Sequence, residues 1–277
     1  MIFGIVCYHE KYWETQSFKD LVASFKSKCR DTQLYICIYD NTDTKGWDLS
    51  GYVFEEDNIK LHYYSASLNP GISAAFNYFA DFARSVDVNW LVFFDQDTSI
   101  PLDLYDKYIH HIRQENTSKI VFPKVYSGSQ LMSPSYYKYY RASLIKKPLA
   151  GKILLNDITA INSGLMIQRD FFESNSGYNE NLRVDFCDHE FIERINGKNI
   201  TADVADVSLN QDFSEVTNDE KKAIFRYRIY IKDLIMYSAN KNKLIIFLRV
   251  DLPHLLKLTL KYRSLSFINI RLKHHEN

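Results

Sequence analysis

The sequence predicts an α/β protein, with a mixed, mostly parallel central sheet covered by helices and a helical appendage at its C-terminal end. Three observations carry that expectation. Strand-like runs recur at 2–8, 33–39, 60–64 and 89–94. Segments of helical spacing lie between several of them. The runs end in polar or turn-forming residues, namely Tyr8-His9, Asp40-Asn41 and Asp95-Gln96-Asp97. Strands alternating with helices imply parallel pairing, which places functional loops at the C-terminal ends of the strands.

Each element follows from local pattern. Residues 2–8 (IFGIVCY) are a continuous apolar run, expected as a buried strand, and 15–29 place Phe18, Leu21, Val22 and Phe25 on one helical face. Residues 33–39 (QLYICIY) are a second buried strand, stopped by Asp40-Asn41-Thr42-Asp43. A third strand at 60–64 leads into the loop Asn69-Pro70-Gly71. A helix over 73–85 then presents Ala75, Tyr78, Phe79 and Phe82 to a core. Residues 89–94 (NWLVFF) are the fourth strand. The second half is less regular: helix 102–114, strand 119–122, a Tyr-rich segment 126–140, a strand at 158–168, a helix from about 188, a strand near 200–207 and a helix over 217–238.

Composition excludes several classes. The chain has 277 residues with 46% hydrophobic and 25% charged, which is ordinary globular usage. Its 34 Lys+Arg balance 34 Asp+Glu, whereas a protein that grips nucleic acid carries a basic surplus. The balance hides an asymmetry: 241–277 hold eight basic and two acidic residues, leaving 26 against 32 in 1–240. Cys7, Cys29, Cys37 and Cys187 form no CxxC pair, so neither a zinc site nor a disulfide framework is expected. With no signal peptide and no long apolar run, the expectation is a cytoplasmic protein, soluble or peripheral on the inner face of the membrane.

The strongest chemical signal is Asp95-Gln96-Asp97 at the end of an apolar strand. Two carboxylates one residue apart at a strand end can face a cleft together and hold a divalent metal against a diphosphate, although a solvated turn uses the same residues. Further polar groups gather at the same expected edge. They are Tyr8, Asp40-Asn41, the loop Asn69-Pro70-Gly71 with Asn77, and Asn162-Ser163-Gly164. Asp185 follows, then Asp188, His189, Glu190 and Arg194 on a helix beginning near 187, where Glu190 and Arg194 are one turn apart.

This ordered set resembles the inverting glycosyltransferases of the GT-A fold, the large family-two type, and within it bacterial rhamnosyltransferase-like enzymes of surface-polysaccharide assembly such as O-antigen or capsule. The resemblance covers roughly residues 1–235. It implies a GT-A domain over 1–240, with 241–277 as a basic amphipathic segment. It implies that Asp40 reads the pyrimidine base of a dTDP- or UDP-sugar, with Tyr8 and Asn41 beside it. Asn69, Gly71 and Asn77 would close over nucleotide and ribose, Asp95 and Gln96 would face the ribose and donor sugar, and Asp97 would bind Mg²⁺ or Mn²⁺. Asp188 matches the general base. Ser163, Gly164, Asp185, His189, Glu190 and Arg194 would orient helix and acceptor. One position departs from the pattern: in Asn210-Gln211-Asp212-Phe213-Ser214, Gln211 stands where such enzymes often carry a His.

Three further expectations concern the surroundings. The Tyr-rich stretch 136–141 suits either sugar stacking or packing on the domain. His110-His111 is expected on a solvated helix face. The tail interleaves Leu244-Ile245-Ile246-Phe247-Leu248 and Leu255 through Leu260 with Lys and Arg, which suits a helix in the interface of an anionic membrane bearing a lipid-linked glycan acceptor; a helix pair packed on the domain is the alternative. Two other functions are open. A nucleotidyltransferase would carry a Gly-rich loop after the first strand, where Tyr8-His9-Glu10-Lys11 has none, and a non-catalytic carbohydrate-binding protein would have no need of clustered carboxylates.

Overall fold

Alternation along the strands sorts side chains onto two faces of one sheet. Residues such as Ile2, Val6, Cys37, Tyr39, Leu91 and Phe93 join one hydrophobic cluster. Their neighbours Phe3, Ile5, Ile36, Ile38, Val92 and Phe94 join another, as the twofold repeat of a strand requires. The computed structural model describes residues 1–28, 32–43, 47, 58–197, 199–212 and 218–273. Cys29, the pair Phe213-Ser214 and the last four residues of the tail lie outside the described residues.

In chain order the elements are β1 (Ile2–Cys7), α1 (Gln16–Lys26), β2 (Leu34–Asp40), β3 (Ile59–Ser65), α2 (Ile72–Ser85), β4 (Trp90–Asp95), α3 (Leu104–Ile112) and β5 (Ile120–Ser127). Short strands follow: β6 (Gln130–Ser133), β7 (Ser135–Lys138), β8 (Arg141–Ser143), β9 (Gly151–Leu154), β10 (Ile158–Thr159) and β11 (Met166–Gln168). The remainder is α4 (Arg169–Ser174), α5 (Cys187–Ile195), β12 (Thr201–Asn210), α6 (Glu220–Ser238), α7 (Lys243–Ile246), α8 (Leu252–Tyr262) and α9 (Ser266–Lys273). Among the described residues the main sheet runs β3-β2-β1-β4-β11-β5-β12-β9, with β6 beside β5; β10, β7 and β8 form a small second sheet. The pairs β3–β2, β2–β1, β1–β4 and β5–β12 are parallel, and β11 enters antiparallel between β4 and β5.

The order β3-β2-β1-β4 reverses beside β1, which makes the carboxyl ends of β1 and β4 a topological switch point. Register brings Cys7 opposite Asp40 and Val6 opposite Asp95, so the carboxylates of two strands align at one edge.

Two expectations need correction. The single strand expected over 158–168 is two, β10 and β11, because Asn162–Leu165 turns between them, with Gly164 at φ 75°. A Cβ on Gly164 would lie 2.3 Å from Leu209 Cδ1, so this close approach requires glycine. His111 does not face solvent: its Nε2 lies 3.2 Å from the buried Asp203 carboxylate, while His110 is exposed. Cys7, Cys37 and Cys187 are buried free thiols. The tail folds into α7, one π-helical turn, α8 and α9, packed on α6 through Ile246, Leu255 and Phe267.

Candidate active site

At the carboxyl edge of β1 and β2, Asp40 is buried and held by three donors. Its Oδ1 accepts from Thr42 N (3.0 Å) and Thr42 Oγ1 (2.5 Å), and its Oδ2 accepts from the Tyr63 phenol (2.6 Å). Burial and the bond to Asp40 push the Tyr63 hydroxyl well up, which keeps it a donor. A carboxylate has about four acceptor sites, so Asp40 retains capacity for one more donor. Asn41 Oδ1 accepts from Gly71 N at 3.3 Å and ties β2 to the loop before α2. Gly71 sits at φ 109°, and a Cβ there would come within 2.4 Å of the Arg183 carbonyl oxygen. Ile72 N donates to that same oxygen at 2.7 Å. Tyr8 is exposed, its backbone N–H bonded to Gln96 Oε1 at 2.6 Å and its phenol in reach of the Asn69 side chain. Asn77 is fully engaged: Nδ2 bonds Tyr178 O (3.0 Å) and Glu180 Oε1 (2.8 Å), and Oδ1 accepts from Tyr178 N (2.9 Å). Its carboxamide therefore braces the 178–180 loop and has no open donor.

Gln211, at the end of β12, reaches the carboxylate pair on β4. Its Nε2 lies 3.0 Å from Asp95 Oδ2 and 3.2 Å from Asp97 Oδ1. Ser163 Oγ lies 2.7 Å from Asp95 Oδ2 and 2.6 Å from Gln211 Oε1. Gly164 holds this turn against β4, with Gly164 N to Phe93 O at 2.6 Å. The position that departs from the family pattern is thus a bridge across both carboxylates.

Asp188 stands in the first turn of α5, 17% exposed, its Oδ1 accepting from His189 N at 2.7 Å. The helix starts from Phe186 in the left-handed region (φ 66°), a conformation that costs a bulky residue energy and needs support. The support comes from α6: the buried Asp233 accepts from Arg183 N (3.1 Å), Val184 N (2.9 Å) and Asp185 N (2.8 Å). Asp185 is clasped by the two terminal guanidinium nitrogens of Arg226, Nη1 and Nη2, at 2.5 and 2.8 Å. Glu190 and Arg194 pair at 2.9 Å, and Arg194 also donates to the carbonyls of Asn175 and Gly177. Thr159 Oγ1 lies 2.8 Å from His189 Nδ1. The Tyr137 ring packs on His189 at 5.0 Å, and its phenol hydrogen-bonds Tyr237, so this member of the Tyr-rich stretch packs while Tyr136 and Tyr139 are exposed.

The segment 159–163 joins the two clusters. Thr159 touches His189, Asn162 Nδ2 approaches Cys187 Sγ at 3.6 Å, and Ser163 touches Asp95. The four residue steps from 159 to 163 span at most about 14 Å, so the helix of Asp188 and the carboxylates of β4 lie close together. Among the described residues no group of three or more His, Cys, Asp or Glu could hold a metal. Asp95 and Asp97 offer carboxylate oxygens and Asp97 is exposed, while Gln211 turns its amide nitrogen to both and its oxygen to Ser163. The two carboxylates fit Mg²⁺ or Mn²⁺, which are commonly held by one or two carboxylates with phosphate oxygens completing the shell. Tyr63, Thr159, Arg183 and Asp233 carry no local sequence signal; only the fold brings them to the site.

No protein-family model matches the chain, and no characterised protein matches it by sequence. Its architecture is shared. The structure of S. aureus TarS 1–349 aligns with TM-score 0.56 and 14% identity over 98% of this chain and 81% of that one. TarS 1–349 in complex with UDP-GlcNAc aligns at 0.54 and 13%, over 98% and 79%. GalNAc-T7, solved with UDP, GalNAc and Mn²⁺, aligns at 0.56 and 13%, over 94% of this chain and 57% of its own. The chain spans 49% of the longer TarS structure. The fold is GT-A-like, with a helical C-terminal segment.

Proposed function

We propose that the chain is an inverting glycosyltransferase that moves a sugar from a nucleoside diphosphate to an acceptor hydroxyl. The observation that carries this reading is the alignment of Asp40 and Asp95 at the switch point of the sheet, with the helix of Asp188 joined to it through the segment 159–163. In this reading Asp40 uses its remaining acceptor capacity on the pyrimidine N–H, and Tyr8 covers the base. Asn41, Asn69 and Gly71 shape the loop over the nucleotide, with Asn77 bracing the neighbouring 178–180 loop. Asp95 and Gln96 line the ribose and donor sugar, and Ser163 and Gly164 set the turn beneath them. Asp97, with Asp95 and Gln211 beside it, would hold Mg²⁺ or Mn²⁺, whose charge offsets that of the departing diphosphate. Asp188 takes the proton of the acceptor hydroxyl as its oxygen bonds to the anomeric carbon and the bond to the diphosphate breaks. Asp185, His189, Glu190 and Arg194 fix the helix that carries Asp188.

The donor we favour is dTDP-L-rhamnose, on the family resemblance. UDP-hexoses, including galactofuranose, come next, and two proteins of this fold are solved with UDP or a UDP-sugar. The acceptor is read as a lipid-linked oligosaccharide of surface-polysaccharide synthesis, which places the work at the inner face of the cell membrane. A nucleotidyltransferase is disfavoured because the turn Tyr12–Glu14, with no glycine, follows β1. A thermal-shift panel of dTDP- and UDP-sugars, with and without Mn²⁺, tests the proposal. Stabilisation by at least one pyrimidine nucleotide sugar is expected, dependent on the metal and lost in Asp97→Ala. A panel in which no pyrimidine nucleotide stabilises the protein would sink it.

A further inference from the structure

The C-terminal helices have one face packed and one face bare. Ile246, Leu255 and Phe267 are buried against α6, and Arg271 donates to the buried Asp251 at 2.6 Å. The opposite side exposes Leu244, Leu248, Leu256, Leu260 (74% exposed) and Leu265 (68%). Cations stand among these leucines: Lys243, Arg249, Lys257, Lys261, Arg263 and Lys273 are all exposed. From 241 to 273 the only acidic residue is Asp251, which is 1% exposed and already paired. A cleft of about 550 Å³ between α6 and α7, walled by Leu234, Ile235, Leu244 and Phe247 with Lys243 among its lining, opens in the same region.

We propose that this face of α7 and α8 docks on an anionic lipid bilayer, lying parallel to its surface. The arrangement of charge decides between the possible occupants. Leu256 and Leu260 alternate with Lys257 and Lys261 on one exposed face, whereas the buried centre of a protein–protein interface is depleted of lysine. A bilayer interface takes both: leucines enter the acyl boundary while lysine stems snorkel to the phosphates. The lack of exposed acids removes the repulsion that anionic headgroups would otherwise meet. No helix among the described residues is long and apolar enough to cross a membrane, so this contact is peripheral.

The segment that carries the face also reaches the C-terminal part of α5, the helix whose first turn holds Asp188. The Arg249 guanidinium lies 5.7 Å from the Tyr139 ring, and Lys241 Nζ is 2.5 Å from Glu193 of α5, the helix of Asp188. A second cleft, of about 460 Å³, runs between Tyr139 and Tyr140, Glu193 and Asn196, and Ile245 of α7. A hydroxylated acceptor anchored in the bilayer at α7 would meet α5 along that cleft. The inference deepens the reading of a lipid-linked acceptor and rests on it for its purpose, while its evidence is independent.

Co-sedimentation of the full chain with vesicles tests it, comparing phosphatidylcholine alone with phosphatidylcholine containing phosphatidylglycerol. Binding to the anionic vesicles is expected, weakened by raised salt, with little binding to the neutral ones. Lys257→Glu with Lys261→Glu should weaken it by about tenfold or more. Leu256→Ser with Leu260→Ser should also weaken it; both pairs are exposed, so unchanged thermal unfolding is the control. Equal binding to both vesicle types, or undiminished binding by either double variant, would overturn the proposal. So would a dimer in size-exclusion chromatography that the Leu pair abolishes, which would assign the face to a second copy. Donor-induced thermal shifts in these variants should match the parent, so failure here and failure of the transferase reading are separable.

Discussion

The two sides of the proposed site, one read as the nucleotide side and one as the acceptor side, are built differently. On the nucleotide side, groups stand on the ends of parallel strands, and backbone register alone aligns Cys7 with Asp40 and Val6 with Asp95. On the acceptor side, Asp188 follows a left-handed Phe186, and its place depends on contacts from remote elements: Thr159 to His189, and Asp233 of α6 to three successive backbone N–H groups. A side ordered by register should tolerate loss of single side chains and show it as weaker binding. A side ordered by remote contacts should lose turnover.

The largest expected effect contrasts Asp188 with Asp40. Asp188→Asn keeps the shape and removes the proposed base, so kcat should fall by about 10²–10⁴-fold with donor binding retained. Asp40→Asn leaves the base intact and should act mainly on the KM for donor. Steady-state kinetics with donor-induced thermal shifts separates the two. Equal losses of kcat in both variants would erase the distinction between the sides.

A second contrast concerns the supports. Asp233→Ala would leave three part-buried N–H groups of 183–185 without their acceptor and should destabilise the protein by about 3 kcal/mol. Its effect on kcat should exceed its effect on donor affinity, because it frees the entry to α5. Gly71→Ala, on the other side, forces a φ of 109° on alanine and a Cβ against the Arg183 backbone, costing about 1–3 kcal/mol. Donor affinity should suffer first there. Urea unfolding supplies both stabilities, and a KM-against-kcat split assigns each to its side.

The same difference explains what could be read in advance. β1, β2, β4 and α2 follow from apolar runs and helical spacing, and the carboxylates that end those strands needed no tertiary information. Even there, Phe76, fully buried and stacked on Phe93 at 4.6 Å, was not among the residues assigned to the core face of α2. The acceptor side resisted. The apolar run 158–168 conceals a turn at Asn162–Leu165 that only the antiparallel entry of β11 explains. Asp233 and His111 lie on helices where charge usually means solvent, and their partners come from 183–185 and 203. Gln211 was legible as a departure from a pattern, but its bridge between Asp95 and Asp97 needed β12 beside β5.

The smallest effect is acid sensitivity, and two ring-packed histidines, one on each side, report it. His62 stacks on Phe82 at 4.3 Å beside Tyr78, and His254 packs on Tyr230 at 4.3 Å and near Tyr227. Burial lowers the pKa of both. Around His254, Asp185 and Asp251 favour the charged ring while Lys257 and Arg226 oppose it, and desolvation outweighs them. A lowered folded-state pKa means the unfolded chain takes up the proton first as pH falls through about 6.5. Stability from these sites is therefore complete above that value, declines below it, and levels off once the folded ring also protonates. His254 supports α6, which carries Asp233, so acid should loosen the acceptor side's brace. Melting temperatures at pH 7.5 and 5.5 should fall toward acid, and His254→Gln should flatten that fall more than His62→Gln, because His254 is the more deeply enclosed ring. The reverse order would make His62 the more deeply enclosed ring and break the comparison.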